Sequence, residues 1–146
     1  MQNKKIEIYT DGSCIGNPGP GGWGAVIFID GKEIELSGSE EDTTNNRMEM
    51  MAIIKALEWI NDESGLSSED AQSHKILIHS DSNLVIQTLN QGWKKKANTD
   101  LWADIDRVRA WLDIDWIWVK AHAENEHNNR VDALAFKEAK ALSKNL

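Results

Sequence analysis

The first third of the chain shows the apolar–polar alternation of β-strands in three successive segments. These segments are Ile6–Thr10, Trp23–Ile29 and Lys32–Ser37. Asp30-Gly31 separates the second from the third and is a strong signal for a tight hairpin. The stretch Gly12–Gly24 holds six of the ten glycines and both prolines, which predicts a loop or tight turns. Three adjacent antiparallel strands are the simplest arrangement of these segments.

From Asn46 onward the period changes to that of an α-helix ending near Asn61. Its apolar stripe comprises Met48, Met51, Ala52, Ala56, Trp59 and Ile60. Residues 61–73 are mostly polar and predict a connection. The next predicted elements are a strand at Ile76–Ile78, a helix from a Ser82 cap to about Asn90 and a turn at Gly92–Asn98. A helix capped by Thr99 or Asp100 follows, with apolar residues to Leu112. The last predicted elements are a strand at Ile114–Val119, a polar loop at Ala121–His127 and a helix at Asn129–Leu142.

The predicted element order is β-β-β-α-β-α-α-β-α within 146 residues, a length typical of one domain. A hairpin-built first half followed by strand–helix alternation predicts an α/β fold with a mixed sheet and helices packed on it. The sequence contains no internal repeat or linker. We therefore expect a single domain over residues 1–146.

Composition narrows the class of protein. Apolar residues make up 40% and charged residues 27%, which excludes a disordered or fibrous chain. The sequence predicts no signal peptide, and no apolar run approaches the roughly 18 residues that a membrane span needs. A single cysteine, Cys14, excludes an internal disulfide and a cysteine-based zinc site. These features predict a soluble cytoplasmic protein with no membrane partner.

The placement of charge is more informative than its total. The formal net charge of −8 argues against a generic nucleic-acid binder, but it is compatible with an enzyme whose acids hold cations. Four acids lie where predicted elements begin or end, namely Asp11, Glu49, Asp81 and Asp132. In a sheet with parallel central strands, Asp11 and Asp81 would open onto one crevice, and the other two would reach it from helices.

Each acid also has a purely structural interpretation. Asp11 could belong to a turn, and Asp81 could cap the next helix. Glu49 could complete a capping box, and Asp132 could lie at the positive end of its helix. Together, however, the acids suit hard cations such as Mg²⁺, which prefer oxygen ligands. Two such ions about 3.5–4 Å apart can activate water for phosphodiester hydrolysis.

Five sequence blocks resemble those of type 1 ribonuclease H, in the same order and over essentially the whole chain. They are TDGSCIGNPGPGGWGA (Thr10–Ala25), TTNNRMEMMA (Thr43–Ala52), HSDS (His79–Ser82), DLW (Asp100–Trp102) and WVKAHAENEHNNRVDALA (Trp118–Ala135). The resemblance implies a ribonuclease H-like fold, a five-stranded mixed sheet with helices on both faces. It also implies an endonuclease that hydrolyses the RNA strand of RNA–DNA hybrids, uses two Mg²⁺ or Mn²⁺ ions and leaves 5′-phosphate and 3′-hydroxyl ends.

The same resemblance assigns the site residues. The catalytic and metal-binding acids would be Asp11, Glu49, Asp81 and Asp132. His122 matches the family's mobile histidine, which serves in proton transfer or in the release of product and metal. The residues matched to substrate contacts are Cys14, Asn17, Asn45, Asn46 and Asn83 for the RNA strand, with Thr44 and Asn98 for a DNA phosphate. Their alternative is ordinary turn and cap chemistry.

Trp93 is the tryptophan that we expect to meet nucleic acid, because it adjoins Lys94, Lys95 and Lys96. The tryptophans expected in or near the core are Trp23, Trp59, Trp102, Trp116 and Trp118. Many bacterial members of the family carry a long basic insertion after the position of Trp93, and here the three lysines are most of what remains of it. With the acidic net charge, this predicts weaker hybrid binding or a stronger reliance on divalent metal. We also expect a monomer.

The residues are compatible with two other functions. An integrase- or resolvase-like nuclease would share the acidic crevice and act on DNA, but those relatives lack the TNNRME block and the histidine loop. A catalytically inactive binding module need not keep all four acids. An EF-hand calcium protein is disfavoured, because the sequence lacks the regular Asp/Asn spacing of its loop.

Overall fold

A mixed five-stranded sheet forms the centre of the molecule. The computed structural model describes residues 4–120 and 125–144. Its strands are β1 (Lys5–Cys14), β2 (Gly19–Ile29), β3 (Lys32–Thr43), β4 (Lys75–Ser80) and β5 (Asp113–Trp118). The spatial order is β3-β2-β1-β4-β5, in which β1, β2 and β3 are antiparallel and β4 and β5 continue the sheet in parallel. The predicted α/β fold and mixed sheet are therefore confirmed.

Helices cover the sheet on both faces. They are α1 (Asn45–Asp62), α2 (Ser68–Ser73), α3 (Asn83–Gln91), α4 (Thr99–Arg109) and α5 (Glu126–Ser143). The prediction missed α2, which lies in the stretch expected to be only a polar connection. A Ser67 cap starts this short helix, and Ala71 is its only buried residue, so it has no apolar stripe to reveal it. Within the two described segments, no helix is long and apolar enough to cross a membrane.

The alternation of β1 and β2 divides the apolar residues between two layers. Ile6, Ile8 and Ile27 belong to the main core, together with residues of α1 and α4. Tyr9 and Val26 belong to a smaller cluster with Val131 of α5. The sheet thus has α1 and α4 on one face and α5 on the other.

The predicted loop over Gly12–Gly24 is wrong for most of its length, because β1 extends to Cys14 and β2 begins at Gly19. Gly16 lies in the turn between these strands with a φ of 87°, but the glycines within the strands serve close packing. A Cβ atom on Gly22 would lie 2.2 Å from the carbonyl oxygen of Ala135 in α5. A Cβ atom on Gly21 would lie 2.3 Å from Cγ2 of Thr43. A glycine-rich strand and a glycine-rich loop look alike in sequence, since both lack side chains.

The boundaries of α4 also differ from the prediction. Neither Thr99 nor Asp100 is the cap, since Asn98 precedes the helix in a left-handed conformation with a φ of 57°. The helix ends at Arg109, so Leu112 lies beyond it, although Leu112 still packs against the core. An Asn in the left-handed region is tolerated because its short polar side chain suits that conformation.

Most of the tryptophan predictions are confirmed. Trp23 and Trp102 are buried, and Trp59 and Trp116 are half-buried against the core. Trp118 contradicts the prediction, since 46% of it is exposed. It lies at the end of β5, where its indole Nε1 donates a hydrogen bond to the carbonyl oxygen of Asp81 at 3.2 Å.

The close approach of α5 to β2 yields a stability prediction. Gly22→Ala should lower the free energy of unfolding by more than about 2 kcal/mol, because its Cβ meets backbone that cannot move aside. Gly31→Ala is the matched control, since the hairpin glycine has open space around it and a φ of 77°. That variant should lose only about 1–2 kcal/mol of conformational strain. Urea denaturation measures both, and a smaller loss for Gly22→Ala than for Gly31→Ala would contradict the packing argument.

Candidate active site

The parallel pairing of β1 and β4 places two aspartates side by side. The last register pair between these strands is Thr10 with Ser80, and Asp11 and Asp81 follow it directly. Because side chains alternate along a strand, the two aspartates continue the row of Tyr9 and His79. Those two rings stack with their centroids 4.3 Å apart. The prediction that Asp11 ends its strand is wrong, because β1 continues opposite β2 and Asp11 is paired with Gly24.

Helix α1 brings Glu49 to the same place. Its cap is Thr44, whose hydroxyl accepts a hydrogen bond from the Arg47 amide, so Glu49 is not the partner in a capping box. Gly12 makes this approach possible, because a Cβ atom there would lie 2.3 Å from the backbone nitrogen of Glu49. The missing side chain lets the start of α1 rest directly on β1.

Asp132 reaches the cleft from α5. The cap of α5 is Asn125, so Asp132 lies beyond the first turn, and the helix N-terminus does not explain its position. The structural interpretation of Asp81 fails as well, since Ser82 caps α3. All four acids line one cleft of about 390 Å³. Asp11 and Glu49 are buried, Asp81 is half-buried and Asp132 is exposed.

The acids perturb one another strongly. Burial raises the pKa of Asp11 to about 8, the charge of Asp81 and the Asp132 carboxyl add to the rise, and hydrogen bonds with Glu49 and the Gly12 amide oppose it. Burial likewise raises the pKa of Glu49 well above its usual range, and the charge of Asp11 raises it further. In the absence of a cation, Asp11 therefore holds its proton near neutral pH, and the pKa of Glu49 is shifted in the same direction.

The donor set fits a hard cation. Asp11, Glu49 and Asp81 each offer an oxygen atom, and these three atoms lie within 4.8 Å of one another. Oδ2 of Asp11 and Oε2 of Glu49 are buried and have no hydrogen-bond partner among residues 4–120 and 125–144. Because unpaired buried oxygens are costly, they mark a place where a cation would be stabilised.

Three of the predicted substrate-binding residues line the cleft, namely Cys14, Asn45 and Asn46. The Cys14 thiol is directed at the carbonyl oxygens of Gly19 and Thr43, at 3.4 and 3.3 Å. Asn17 is exposed, and its side-chain oxygen accepts a hydrogen bond of 2.9 Å from the Asn45 amide. Cys14 and Asn17 thus hold the β1–β2 turn against the start of α1.

The other predicted contact residues lie around the cleft. Thr44 caps α1, and the Asn98 side chain accepts a hydrogen bond of 3.3 Å from Arg47 Nη1. Asn83 is exposed at the first position of α3. Trp93 is 48% exposed in the segment between α3 and α4. Their positions agree with a surface role, and their contacts with nucleic acid stay predictions.

His122 and the loop around it lie outside the described residues, so its role stays a prediction. Four further residues line the cleft that were not predicted to do so from the sequence, namely Ser13, Ser82, Asn128 and Asn129. Ser82 was predicted only as a helix cap. Asn128 had a signal, because it precedes Asp132 by four positions and therefore shares its helix face. Ser13 is two positions beyond Asp11, but nothing in the sequence distinguishes it from a turn residue.

The raised pKa values predict how stability depends on pH. A carboxyl whose pKa is higher in the folded state stabilises the fold below its unfolded value near 4, and this stability is lost as the pH rises through the folded value. In EDTA, the protein should therefore become less stable toward about pH 8, the folded pKa of Asp11. Asp11→Asn should raise Tm at about pH 8 by roughly 5 °C, and at about pH 5 by less.

Asp100→Asn is the control for this measurement by thermal denaturation. Arg47 pairs with Asp100 at 2.8 Å and lowers its pKa to about 2, so this variant removes a favourable carboxylate. Its Tm should not exceed that of the unsubstituted protein at either pH. An Asp11→Asn effect of equal size at both pH values would contradict the assignment of the raised pKa.

Comparison with known proteins agrees with this architecture. The family described as RNase H matches residues 3–140. Ribonuclease HI of Caulobacter vibrioides is 44% identical over 144 residues, covering 90% of each chain. Ribonuclease H of Acetivibrio thermocellus is 45% identical over 148 residues, covering 97% of this chain and 99% of the relative.

Solved structures show the same fold. LC11-RNase H1 in complex with an RNA/DNA hybrid is 28% identical, with a TM-score of 0.76 over 94% of this chain and 98% of that one. The N-terminal RNase H domain of a Mycobacterium tuberculosis protein has a TM-score of 0.80 over 98% of this chain and 99% of that one, at 24% identity. On the family match and on relatives 44–45% identical over most of its length, the chain belongs to the RNase H family.

Proposed function

We propose that this protein is an endonuclease that hydrolyses the RNA strand of RNA–DNA hybrids, leaving 5′-phosphate and 3′-hydroxyl ends. The observation that carries the proposal is the convergence of Asp11, Glu49 and Asp81 on one point, with Asp132 across the same cleft. The related ribonucleases H and the LC11-RNase H1 complex with an RNA/DNA hybrid support the substrate.

The cleft residues suit two Mg²⁺ ions, with Mn²⁺ as a substitute. Asp11, Glu49 and Asp81 would hold one ion, and Asp11 with Asp132 would face the second. When bound, the ions would activate a water molecule and stabilise the leaving oxygen of the phosphodiester. An all-oxygen donor set supports Mg²⁺ over softer metals, and displacement of the Asp11 proton makes metal binding depend on pH.

The chain's own residues would bind and orient the hybrid around this cleft. Asn45 and Asn46 are exposed at the start of α1 and line the cleft, where their amides can reach the 2′-hydroxyls that distinguish RNA from DNA. Cys14 and Asn17 keep the adjoining turn in place through the hydrogen bonds described above. Asn83 is exposed beside Ser82 at the rim and would contact the same strand.

A second surface would hold the DNA strand. The lysine turn, which we define as Lys94–Asn98, lines a groove of about 210 Å³ together with Asn46 and Trp102. Asn46 lines this groove and the carboxylate cleft alike, so the two surfaces adjoin. Lys95 Nζ lies 5.7 Å from the centre of the Trp102 ring. Thr44 and Asn98 would hold a phosphate there, and Trp93 would pack against sugar or base.

Arg47 joins these two surfaces. Its guanidinium donates to both carboxylate oxygens of Asp100, at 3.0 and 2.8 Å, and to the Asn98 side chain. The ion pair of Arg47 with Asp100 fixes the lysine turn relative to the helix that carries Glu49.

Three further proposals complete the proposed function. We propose that His122 transfers a proton or assists product release. We also propose that residues 1–146 act as one catalytic domain, and that the protein is a cytoplasmic monomer.

The first test is cleavage of a hybrid whose RNA strand is labelled. With Mg²⁺, the RNA strand should be cut, while duplex DNA should stay intact. Asp11→Asn should lower the rate by a factor of about 1,000 or more, because several kcal/mol of transition-state stabilisation depend on the acid that holds the cation. EDTA should abolish cleavage. Denaturing gel electrophoresis of the labelled strand measures each rate.

Asp113→Asn is the control for the loss of an acid. This exposed aspartate pairs with Lys75 at the start of β5, at the opposite end of the strand from the cleft, so the rate should stay unchanged. Cleavage of duplex DNA with equal efficiency would favour the integrase- or resolvase-like alternative. Hybrid binding without cleavage in either metal would favour the inactive binding module.

The lysine turn predicts the salt dependence of hybrid binding. Each phosphate contact contributes about 0.9 to the slope of log K against log salt, so replacing Lys94, Lys95 and Lys96 with glutamine should lower the slope by roughly 2–3. Titrations in the Asp11→Asn background prevent cleavage. The slope before replacement should correspond to fewer than about six contacts, because the turn is short.

The control replaces three exposed lysines at the far end of the sheet, Lys4, Lys5 and Lys32, with the same change in net charge. It should leave the slope nearly unchanged. Equal slope changes in the two triple variants would show that binding responds to overall charge, and the lysine turn would lose its role.

A further inference from the structure

A buried amide beside the carboxylates has no role in the proposed function so far. Asn128 lies in the first turn of α5 and lines the cleft, yet it is only 2% exposed. Its side-chain oxygen Oδ1 is buried and accepts no hydrogen bond from the part of the chain that the structure describes. Six buried side-chain atoms lack a partner among the described residues, and three of them belong to residues of this cleft, namely Asp11 Oδ2, Glu49 Oε2 and Asn128 Oδ1.

The position of Asn128 is fixed by its surroundings. The Asn128 amide donates a hydrogen bond of 3.0 Å to the Asn125 side chain, which caps the helix. The preceding residue, His127, packs its ring against Tyr9, with the centroids 4.8 Å apart. Arg130 pairs with Glu35 of β3 at 2.7 Å. The side chain of Asn128 is therefore presented to the cleft from a turn that is held on two sides.

An unpaired buried oxygen lowers stability, because the group loses its water without gaining another donor. With cations bound, the carboxylates of the cleft are ionised and offer no proton, so they cannot satisfy Oδ1. A ribose hydroxyl is a poor candidate, since a sugar would need more access than a residue that is 2% exposed provides. A water molecule is small enough, and it needs the two or more polar partners that the cleft supplies.

We propose that Asn128 binds and orients a water molecule in the carboxylate cleft. Its Oδ1 accepts one hydrogen of that water, while the carboxylates of Asp11 and Glu49 accept or share the other. This inference rests on the proposed function, since an oriented water is what phosphodiester hydrolysis consumes. Asn128 thereby acts on the reaction through a water molecule, as a residue whose polarity serves catalysis and not folding.

The test compares stability and kinetics of Asn128→Leu. Leucine has a similar size, lacks the acceptor and is a better helix former than asparagine. The Tm in EDTA should equal or exceed that of the unsubstituted protein, because leucine is the better helix former and leaves no buried polar group that must be satisfied. With Mg²⁺, kcat on the hybrid should fall by about tenfold or more, since misplacing a reacting water costs on the order of 10–100-fold. KM for the hybrid should stay unchanged.

Asn61→Leu is the matched control. The Asn61 side chain donates a 3.0 Å hydrogen bond to the carbonyl oxygen of Val108. Neither of these two residues lines the cleft. The same substitution there should lower Tm and leave kcat unchanged, which is the opposite pattern. Asn128→Ala, with the same expected fall in kcat, replaces the leucine variant if the latter does not fold.

Two results would overturn the inference. One is an unchanged kcat in both Asn128 variants. The other is a loss of Tm in EDTA that accounts for the loss of activity, which would make Asn128 a structural residue. If the unsubstituted protein itself fails to cut the hybrid, the proposed function fails, whereas equal cutting by the unsubstituted protein and Asn128→Leu rejects the water site alone.

Discussion

The parallel pairing of β1 with β4 is the constraint on which the site depends. It ends at Thr10 and Ser80, so Asp11 and Asp81 leave the paired region together, on one face of the sheet. Oxygen atoms of Asp11, Glu49 and Asp81 lie within 4.8 Å of one another, so the negative charges of these groups repel. Burial of Asp11 and Glu49 increases the free-energy cost of ionising them. The fold therefore holds together groups that would separate if they were free, and a bound cation would relieve that strain.

Close packing at glycine supplies the rigidity that this arrangement requires. Gly12 lets the backbone of α1 rest on β1, and Gly22 does the same for α5 on β2. The two helices that carry Glu49 and Asp132 are thus fixed to β1 and β2 with almost no space between helix and strand. A site assembled from four separate segments needs such contacts, because a shift of about 1 Å in one ligand would disrupt the geometry.

The candidate site could be predicted from sequence to different depths. The four acids were identifiable from the sequence and all four line the cleft, although Asp11 lies within β1 and Asp132 lies beyond the first turn of α5. Asn128 was missed, because only the folded structure reveals that its oxygen is buried without a partner among the described residues. Cys14 and Asn17 matched substrate contacts, but the fold gives both a second task in holding the turn. Side-chain hydrogen bonds of this kind depend on residues distant in sequence, so local pattern cannot supply them.

The sequence by itself determined the strands, the long helices and the mixed sheet, because alternation and helical period record which face of each element is buried. The tertiary structure alone decided that this second strand begins at Gly19 and not at Trp23, since the glycines of the extension are required by contacts with α5 and α1. It also decided the pKa values of Asp11 and Glu49, because burial and neighbouring charge arise only when segments far apart in the chain come together.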